Sequence, residues 1–277
     1  MANVSEQETT RSLLAMANTQ GVSRLDAEAL LSALTGRSRA QITAFDEAPV
    51  EALTAAMFMA GVERRASGEP LAYITGIREF WSLPLVVSPA VLVPRPETEL
   101  LVELCLQRLG VDTRRVADLG TGSLAIAAAL ASERPAWNIV ATDRSDEALS
   151  IAAINRNRLR LSNVELRAGH WCAALGTDVF DAILSNPPYI GATDTALAAL
   201  AHEPREALVG ADDGYADLLD VATGARAHLK SGGLLLLEHG TAQAKRLAAE
   251  LVRAGYARVV CHRDLAGHER VTEAVWP

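Results

Sequence analysis

The chain has 277 residues, of which 49% are hydrophobic and 22% charged, long enough for two domains and too apolar for wholesale disorder. Its formal net charge of -8 argues against a protein built to grip nucleic acid, which needs a basic face to displace condensed counterions. Three scattered cysteines, Cys105, Cys172 and Cys261, fit a reduced cytoplasmic protein better than a disulfide framework or a zinc site. No apolar run approaches the ~18 residues that span a bilayer. The opening Met1-Ala2-Asn3-Val4-Ser5-Glu6 has neither the basic flank nor the apolar core of a secretory signal.

Residues 1–72 read as a domain of short helices. Leu13, Leu14 and Ala17 form one apolar stripe, ended by Gly21. Ser23 caps a second helix with Asp26 in its first turn, and Leu30, Leu31 and Leu34 face inward before Gly36. After Pro49, the spacing of Leu53, Met57 and Ala60 predicts a longer helix that stops at Gly68 and Pro70, with Met57 and Phe58 in the bundle core. Residues 1–75 hold six Arg, no Lys and nine Asp plus Glu, so this domain carries no basic arm.

Residues 73–93 change character. Trp81, Leu83, Leu85 and Val87 alternate, which predicts a β-hairpin linker, with Pro84 at a bend or edge. Pro94-Arg95-Pro96 breaks the hairpin, and Glu97 and Glu99 open a helix reaching about Leu109. Residues 94–277 form the second domain. Strands are expected at 115–119, 138–142, 164–168, 180–185, 233–238, 257–262 and 270–276, and helices at 123–131, 145–157, 216–230 and 242–254. Strands alternating with helices of this length imply an α/β fold with a mostly parallel sheet covered on both faces.

Two motifs sit at strand ends. Asp118-Leu119-Gly120-Thr121-Gly122-Ser123-Leu124-Ala125 follows the first strand and opens a helix. Its glycines let the backbone turn sharply and approach a ligand. About 20 residues on, Asp143 ends the next strand, where a carboxylate can accept from both hydroxyls of a ribose. By itself this pattern means a nucleoside-containing cofactor, and Gly120, Gly122 and Ala125 also satisfy the dinucleotide fingerprint.

The second motif, Asn186-Pro187-Pro188-Tyr189, ends the strand Phe180–Ser185, at the edge where open α/β sheets place ligands. A planar amide or arylamine nitrogen has a delocalised lone pair and is a poor nucleophile. The Asn186 side-chain oxygen and the Pro187 carbonyl can each accept one of its N–H groups, aiming its third direction at an electrophilic methyl group. Two prolines stiffen the backbone and remove competing donors, and Tyr189 offers a flat face for a planar group. The chemistry then rests on positioning and on electrostatic complementarity to developing charge, with no strong general base.

These segments carry a resemblance. Gly68-Glu69-Pro70-Leu71-Ala72-Tyr73-Ile74-Thr75-Gly76 with Glu79-Phe80-Trp81, then Pro94-Arg95-Pro96-Glu97-Thr98-Glu99, the glycine loop, Asn186 to Tyr189, Glu203-Pro204 with Ala207-Leu208, and Leu236-Leu237-Glu238-His239-Gly240 stand in that order. Together they resemble the HemK/PrmC family of peptide chain release factor N5-glutamine methyltransferases. The resemblance implies a helical N-terminal domain, a hairpin and a seven-stranded, Rossmann-like methyltransferase domain that uses S-adenosylmethionine. It implies methylation of the side-chain amide of the Gln in the Gly-Gly-Gln motif of class 1 release factors. It places Gly120, Thr121, Gly122, Ser123, Leu124, Asp143, Trp171 and Asn186 at the cofactor, with Trp171 near the adenine, and Asn186, Pro187, Pro188 and Tyr189 around the Gln.

The sequence departs from the family pattern in places. Leu124 stands where the loop usually has a third glycine, and its side chain either crowds the cofactor or points into helix–sheet packing. His170 stands where Asp often precedes Trp171, and His202 where an aromatic residue precedes Glu203. Strand-end His239 reads as local structure, and His262, His268 and Arg270 as surface or turn residues. The alternatives are an adenine-N6 or rRNA methyltransferase, which needs a flipped base and a phosphate-binding face, a cofactor-binding protein without catalysis, and an NAD-dependent dehydrogenase, which leaves Asn186 to Tyr189 without a role. A cytoplasmic monomer with no metal, no membrane segment and no direct nucleic-acid partner is the expectation.

Overall fold

The computed structural model describes residues 8–277; the opening hexapeptide read for a signal lies outside the described residues. The chain divides into two compact units at Gly76/Ile77.

The first unit is helical: α1 (Thr10–Thr19), α2 (Arg24–Thr35), α3 (Arg39–Ala44), α4 (Ala52–Ala66) and α5 (Leu71–Thr75). Thr9 and Ser12 cap the start of α1 reciprocally, and the Ser23 hydroxyl accepts from the Asp26 amide at the start of α2, so these two helices begin where a side chain satisfies a free backbone donor. Leu13, Ala17, Leu30, Leu31 and Ile42 meet in the core. The inward face of α4 differs from the expected one. Leu53 is 66% and Met57 51% exposed, whereas Ala55, Phe58 and Val62 are buried. Neighbouring helical residues lie about 100° apart, and α4 is turned so that Phe58 enters the core while Met57 faces outward. The short α3 falls within the expected helical domain without a helix of its own having been placed there, and α5 runs on into the residues expected to form the hairpin linker, ending at Gly76.

The second unit opens with the hairpin β1 (Ile77–Phe80) and β2 (Leu83–Val86). The alternation through Trp81 crosses the turn, because Trp81 and Ser82 are the two turn residues, with φ of 51° and 59°. Positive φ at both central positions matches the right-handed twist of the flanking strands. A 3-10 turn (Pro96–Thr98) leads into α6 (Glu99–Arg108). There follow β3 (Arg115–Leu119), α7 (Ala125–Glu133), β4 (Asn138–Asp143), α8 (Asp146–Arg158), β5 (Val164–Ala168), β6 (Phe180–Ser185), α9 (Ala211–Ala225), β7 (Leu229–Glu238), α10 (Ala244–Arg253), β8 (Ala257–Arg263) and β9 (Glu269–Val275). Asp212, Asp213 and Gly214 kink the start of α9 with positive φ, so regular helix starts beside the expected residue 216 and ends earlier than 230. The His228 carbonyl already accepts from the Phe180 amide, which commits the following residues to β7.

The seven strands run in the order β5-β4-β3-β6-β7-β9-β8. The first five are mutually parallel, and β9 runs antiparallel to both β7 and β8. Successive residues of one strand enter opposite cores. Val116, Ile139, Ala182 and Leu184 pack on one face, and Ala117, Val140, Ile183 and Leu235 on the other, which is why the strands read as continuous apolar runs. From β3 the chain winds outward through β4 and β5, then returns to lay β6 on the opposite side of β3. That reversal opens a crevice at the carboxyl ends of β3 and β6, where such sheets bind ligands.

Candidate active site

Both sequence motifs meet at this crevice, an open cleft lined by residues of each. After β3 the Gly120 and Thr121 amides both donate to the Thr142 carbonyl, at 2.9 and 2.8 Å, which curls the loop over the end of β4. Gly122 has φ +54°, and a Cβ built there meets nothing within 4 Å. It would project into the open cleft, so glycine supplies both the left-handed turn and the room for a ligand. The Asp143 carboxylate accepts from the Gly122 amide at 2.9 Å and the Ser145 amide at 3.0 Å. Each oxygen keeps a lone pair for a further donor such as a ribose hydroxyl. Trp171, with φ 43°, donates its indole N–H to Asp217 at 3.2 Å and packs its ring beside Gly120, where a Cβ would come within 2.9 Å of it. His170 also lines the cleft, its ring 5.2 Å from that of Trp171.

Gly120, Thr121, Gly122, Ser123, Asp143, Trp171 and Asn186 all line the cleft. Leu124 does not. It adopts the left-handed conformation at φ 75°, and its side chain is 0% exposed within the helix–sheet core. Of the two possibilities open for this residue, packing is the one observed.

Asp118 supports the loop from beneath. Its Oδ2 accepts from the Thr121 hydroxyl at 2.7 Å and the Ala127 amide at 3.2 Å, while Oδ1 is buried without a partner. Burial pushes its pKa up to about 7, against the opposing effect of these two donors. A carboxyl raised in the folded state stabilises the fold below its unfolded value near 3.8 and loses that contribution as pH rises through 7. Asp118→Asn lacks this titration. Its stability relative to wild type is therefore expected to improve by roughly 2 kcal/mol between pH 5.5 and 8, as urea denaturation at the two pH values would read. A constant difference would rule the titration out.

The cleft continues into a second compartment lined by Leu92, Pro187, Tyr189, Ile190, Leu200 and Leu208, and Asn186 and Arg95 line both. Asn186 therefore stands at the junction. Its Nδ2 donates to the Thr98 hydroxyl at 3.2 Å. Among the described residues no donor takes its Oδ1 or the Pro187 carbonyl oxygen. Tyr189 is held at three points. Its hydroxyl donates to Glu238 Oε1 at 3.2 Å, its carbonyl accepts from Gln243 Nε2 at 3.0 Å, and Gly214 lies against its backbone. A Cβ on Gly214, at φ +82°, would fall 2.0 Å from the Tyr189 carbonyl oxygen, so no larger residue fits. Burial and the neighbouring Glu238 raise the Tyr189 phenol, which stays neutral. Glu203 is buried, bonds the Val93 amide and pairs with Arg95, fixing the rim shared by the two compartments.

Several supporting residues escaped a reading by local pattern. Thr98 sits beneath Asn186 and Gln243 behind Tyr189. Glu238 is fully buried, and burial raises its pKa to about 7 against the neighbouring Thr98 hydroxyl, the charge of Arg270 and the bond from Tyr189. One signal was available, an acidic residue ending the run Leu234-Leu235-Leu236-Leu237 at the carboxyl end of a central strand. His239 is local structure as expected, bonded to the Gly240 carbonyl and the Thr272 hydroxyl. His262 is not a simple surface residue, because it bonds the buried Glu273. Among the described residues no cluster of His, Cys, Asp and Glu is arranged to hold a metal, and no helix is long and apolar enough to cross a membrane.

Comparison with known proteins joins both units to one lineage. Residues 7–76 match the PrmC N-terminal domain and residues 95–254 the methyltransferase small domain. The chain is 49% identical over 251 residues to the release factor glutamine methyltransferase of Salmonella typhimurium, covering 90% of this chain and 91% of that one. It is 45% identical over 273 residues to the protein of the same name from Coxiella burnetii, covering 98% and 96%. The chain belongs to the release factor glutamine methyltransferase family. A methyltransferase of Pyrococcus furiosus shares the fold, with a TM-score of 0.54 at 21% identity over 70% of this chain and 88% of that one.

A release factor glutamine methyltransferase is an S-adenosylmethionine-dependent enzyme, and the cleft suits that cofactor. Gly122 leaves open space at the loop, Asp143 has lone pairs for ribose hydroxyls, and the Trp171 ring lines the cleft beyond them. Membership in the family also removes the dehydrogenase reading, since the fold and the Asn186 motif are explained together.

Proposed function

We propose that the chain methylates the side-chain amide nitrogen of the Gln in the Gly-Gly-Gln motif of class 1 peptide chain release factors. The observation that carries this reading is a pair of unengaged acceptors, Asn186 Oδ1 and the Pro187 carbonyl, at the junction of the two compartments. A primary amide presents two N–H donors in a plane, and these two oxygens complement them. S-adenosylmethionine supplies an electrophilic methyl group. Asn186 and Pro187 hold the amide nitrogen with its remaining direction toward the cofactor side of the cleft. They also stabilise the positive charge that grows on its N–H groups as the nitrogen becomes pyramidal. Once the nitrogen is cationic its proton leaves without a strong base. Tyr189, fixed by Glu238 and Gln243, walls the pocket that takes the planar amide.

In this reading the helical unit recognises the release factor, and the enzyme acts as a cytoplasmic monomer on protein, with no direct contact to nucleic acid. The unpaired cysteines and the absence of a basic arm in residues 1–75 support it. The test is incubation with labelled S-adenosylmethionine and unmethylated release factor, beside a variant in which the Gln of the motif is Ala, followed by peptide mass spectrometry. Label on the wild-type Gln alone is the expected result. Cofactor binding with no label on release factor would overturn the assignment, and label on nucleic acid would replace it.

A further inference from the structure

We infer that Gln243 is a positioning residue for the transfer, whose side-chain amide fixes the backbone that carries the Pro187 carbonyl, a role that rests on that carbonyl being an acceptor for the substrate amide. Gln243 stands just before α10 and is buried, behind the pocket wall and outside the residues that line either compartment. Its amide is fully committed. Oε1 accepts from the Gly240 amide at 2.8 Å, and Nε2 donates to the Tyr189 and Asp213 carbonyls, each at 3.0 Å. The backbone N–H can only donate and the two carbonyls can only accept, so one orientation of the Gln243 amide satisfies all three. One side chain thereby joins the Asn186–Tyr189 motif, the kinked start of α9 and the loop after β7.

The kink that Gln243 holds is packed directly on the motif. A Cβ at Gly210 would fall 2.5 Å from the Pro188 carbonyl oxygen, as one at Gly214 would crowd that of Tyr189. Asp212 and Asp213 adopt left-handed backbone angles, which a residue with a Cβ keeps only when its surroundings enforce them. The Gln243 bond to the Asp213 carbonyl and the pairing of Arg246 with Asp212 supply that enforcement. The motif is anchored at its other end by β6, where Ser185 lies in register with Leu237 and its hydroxyl donates to the Leu119 carbonyl at 2.8 Å. Between the two anchors stand Pro187 and Pro188, whose rings lock φ. The direction of the Pro187 carbonyl is therefore set by where the two ends are held, and Gln243 holds the end away from the sheet.

Gln243→Met keeps the length of the side chain and removes its three hydrogen bonds. At a temperature where circular dichroism shows the variant folded, kcat for release factor methylation is expected to fall at least tenfold, toward the ~100-fold that misplacement at a reacting centre can cost. KM for release factor and affinity for S-adenosylmethionine should stay close to wild type, because Gln243 lines neither compartment. Should Gln243→Met fail to fold, Gln243→Asn carries the same test, since it withdraws the NH2 by one methylene and leaves a polar amide in place. Asn186 and the Pro187 carbonyl hold one nitrogen as a unit, so in single-turnover labelling the substitution should cost less in an Asn186→Ala background than in wild type. A lowered melting temperature with wild-type kcat in the folded enzyme would overturn the positioning role. So would a loss confined to KM or cofactor affinity, or a full additional loss in the Asn186→Ala background. Wild-type enzyme that leaves release factor unlabelled would instead remove the reading on which the role depends.

Discussion

Asn186→Ala is expected to lower methyl transfer to release factor by about 100-fold or more while the protein stays folded. The side chain makes one hydrogen bond within the protein, to Thr98, and it is half-buried at the rim of two compartments. Removing it therefore costs little packing. On the proposed function, what is lost is an acceptor for an N–H group whose positive charge rises as the nitrogen is methylated. Removing one preorganised partner of that kind typically costs about 3 kcal/mol or more in the transition state. The loss should lie mainly in kcat, because the remaining contacts to substrate bind ground and transition state alike. Circular dichroism and thermal unfolding check the fold, and single-turnover labelling reads the chemistry. A folded variant with wild-type kcat would show that the Pro187 carbonyl and the shape of the pocket suffice.

Leu124→Gly is expected to destabilise the methyltransferase unit by about 2–4 kcal/mol without emptying the cofactor site. Two effects oppose each other. A left-handed conformation costs a residue with a Cβ roughly 1–2 kcal/mol, and glycine relieves that. The Leu124 side chain, however, is fully buried in the core that also holds Leu101, Ile126 and Leu130, and deleting a buried leucine typically costs about 2–5 kcal/mol even when a methyl group remains. Packing wins. Leu124→Ala loses nearly all of the same packing and keeps the backbone strain, so it should be the less stable variant by about 1 kcal/mol. That order reverses the usual preference for alanine over glycine near a helix. Urea denaturation of the three proteins tests the order, and titration with S-adenosylmethionine tests the cleft. A marked gain in cofactor affinity in Leu124→Gly would mean that the leucine does crowd the site.

The buried location of Leu124 also shows where pattern and packing part company. From the sequence, a leucine in a glycine loop beside a cofactor was compatible with either direction, because side-chain direction depends on the backbone angles at that one residue. With φ at 75° the side chain turns under the start of α7 and away from the cleft. Helix α4 makes a similar point. Leu53, Met57 and Ala60 and the pair Phe58 and Val62 are both plausible apolar faces, and only the neighbouring helices decide that the second is buried and the first meets solvent.

Residue type and spacing already set the alternation of strands and helices from Arg115 onward, the turn at Gly120 to Gly122, the acid at Asp143 and the placement of Asn186 to Tyr189 at a strand end. Each is a local consequence of residue type: apolar runs that must be covered on two faces, glycines that accept positive φ, prolines that hold the backbone rigid. Tertiary structure alone decided what supports them. Thr98 and Glu238 stand in segments that carry the resemblance and Gln243 in none, but nothing local to any of the three says that they bond Asn186 and Tyr189. A hydrogen bond between side chains distant along the chain depends on sheet register and on the meeting of strand ends. Those are set by burial of the whole sheet, and no local pattern encodes them.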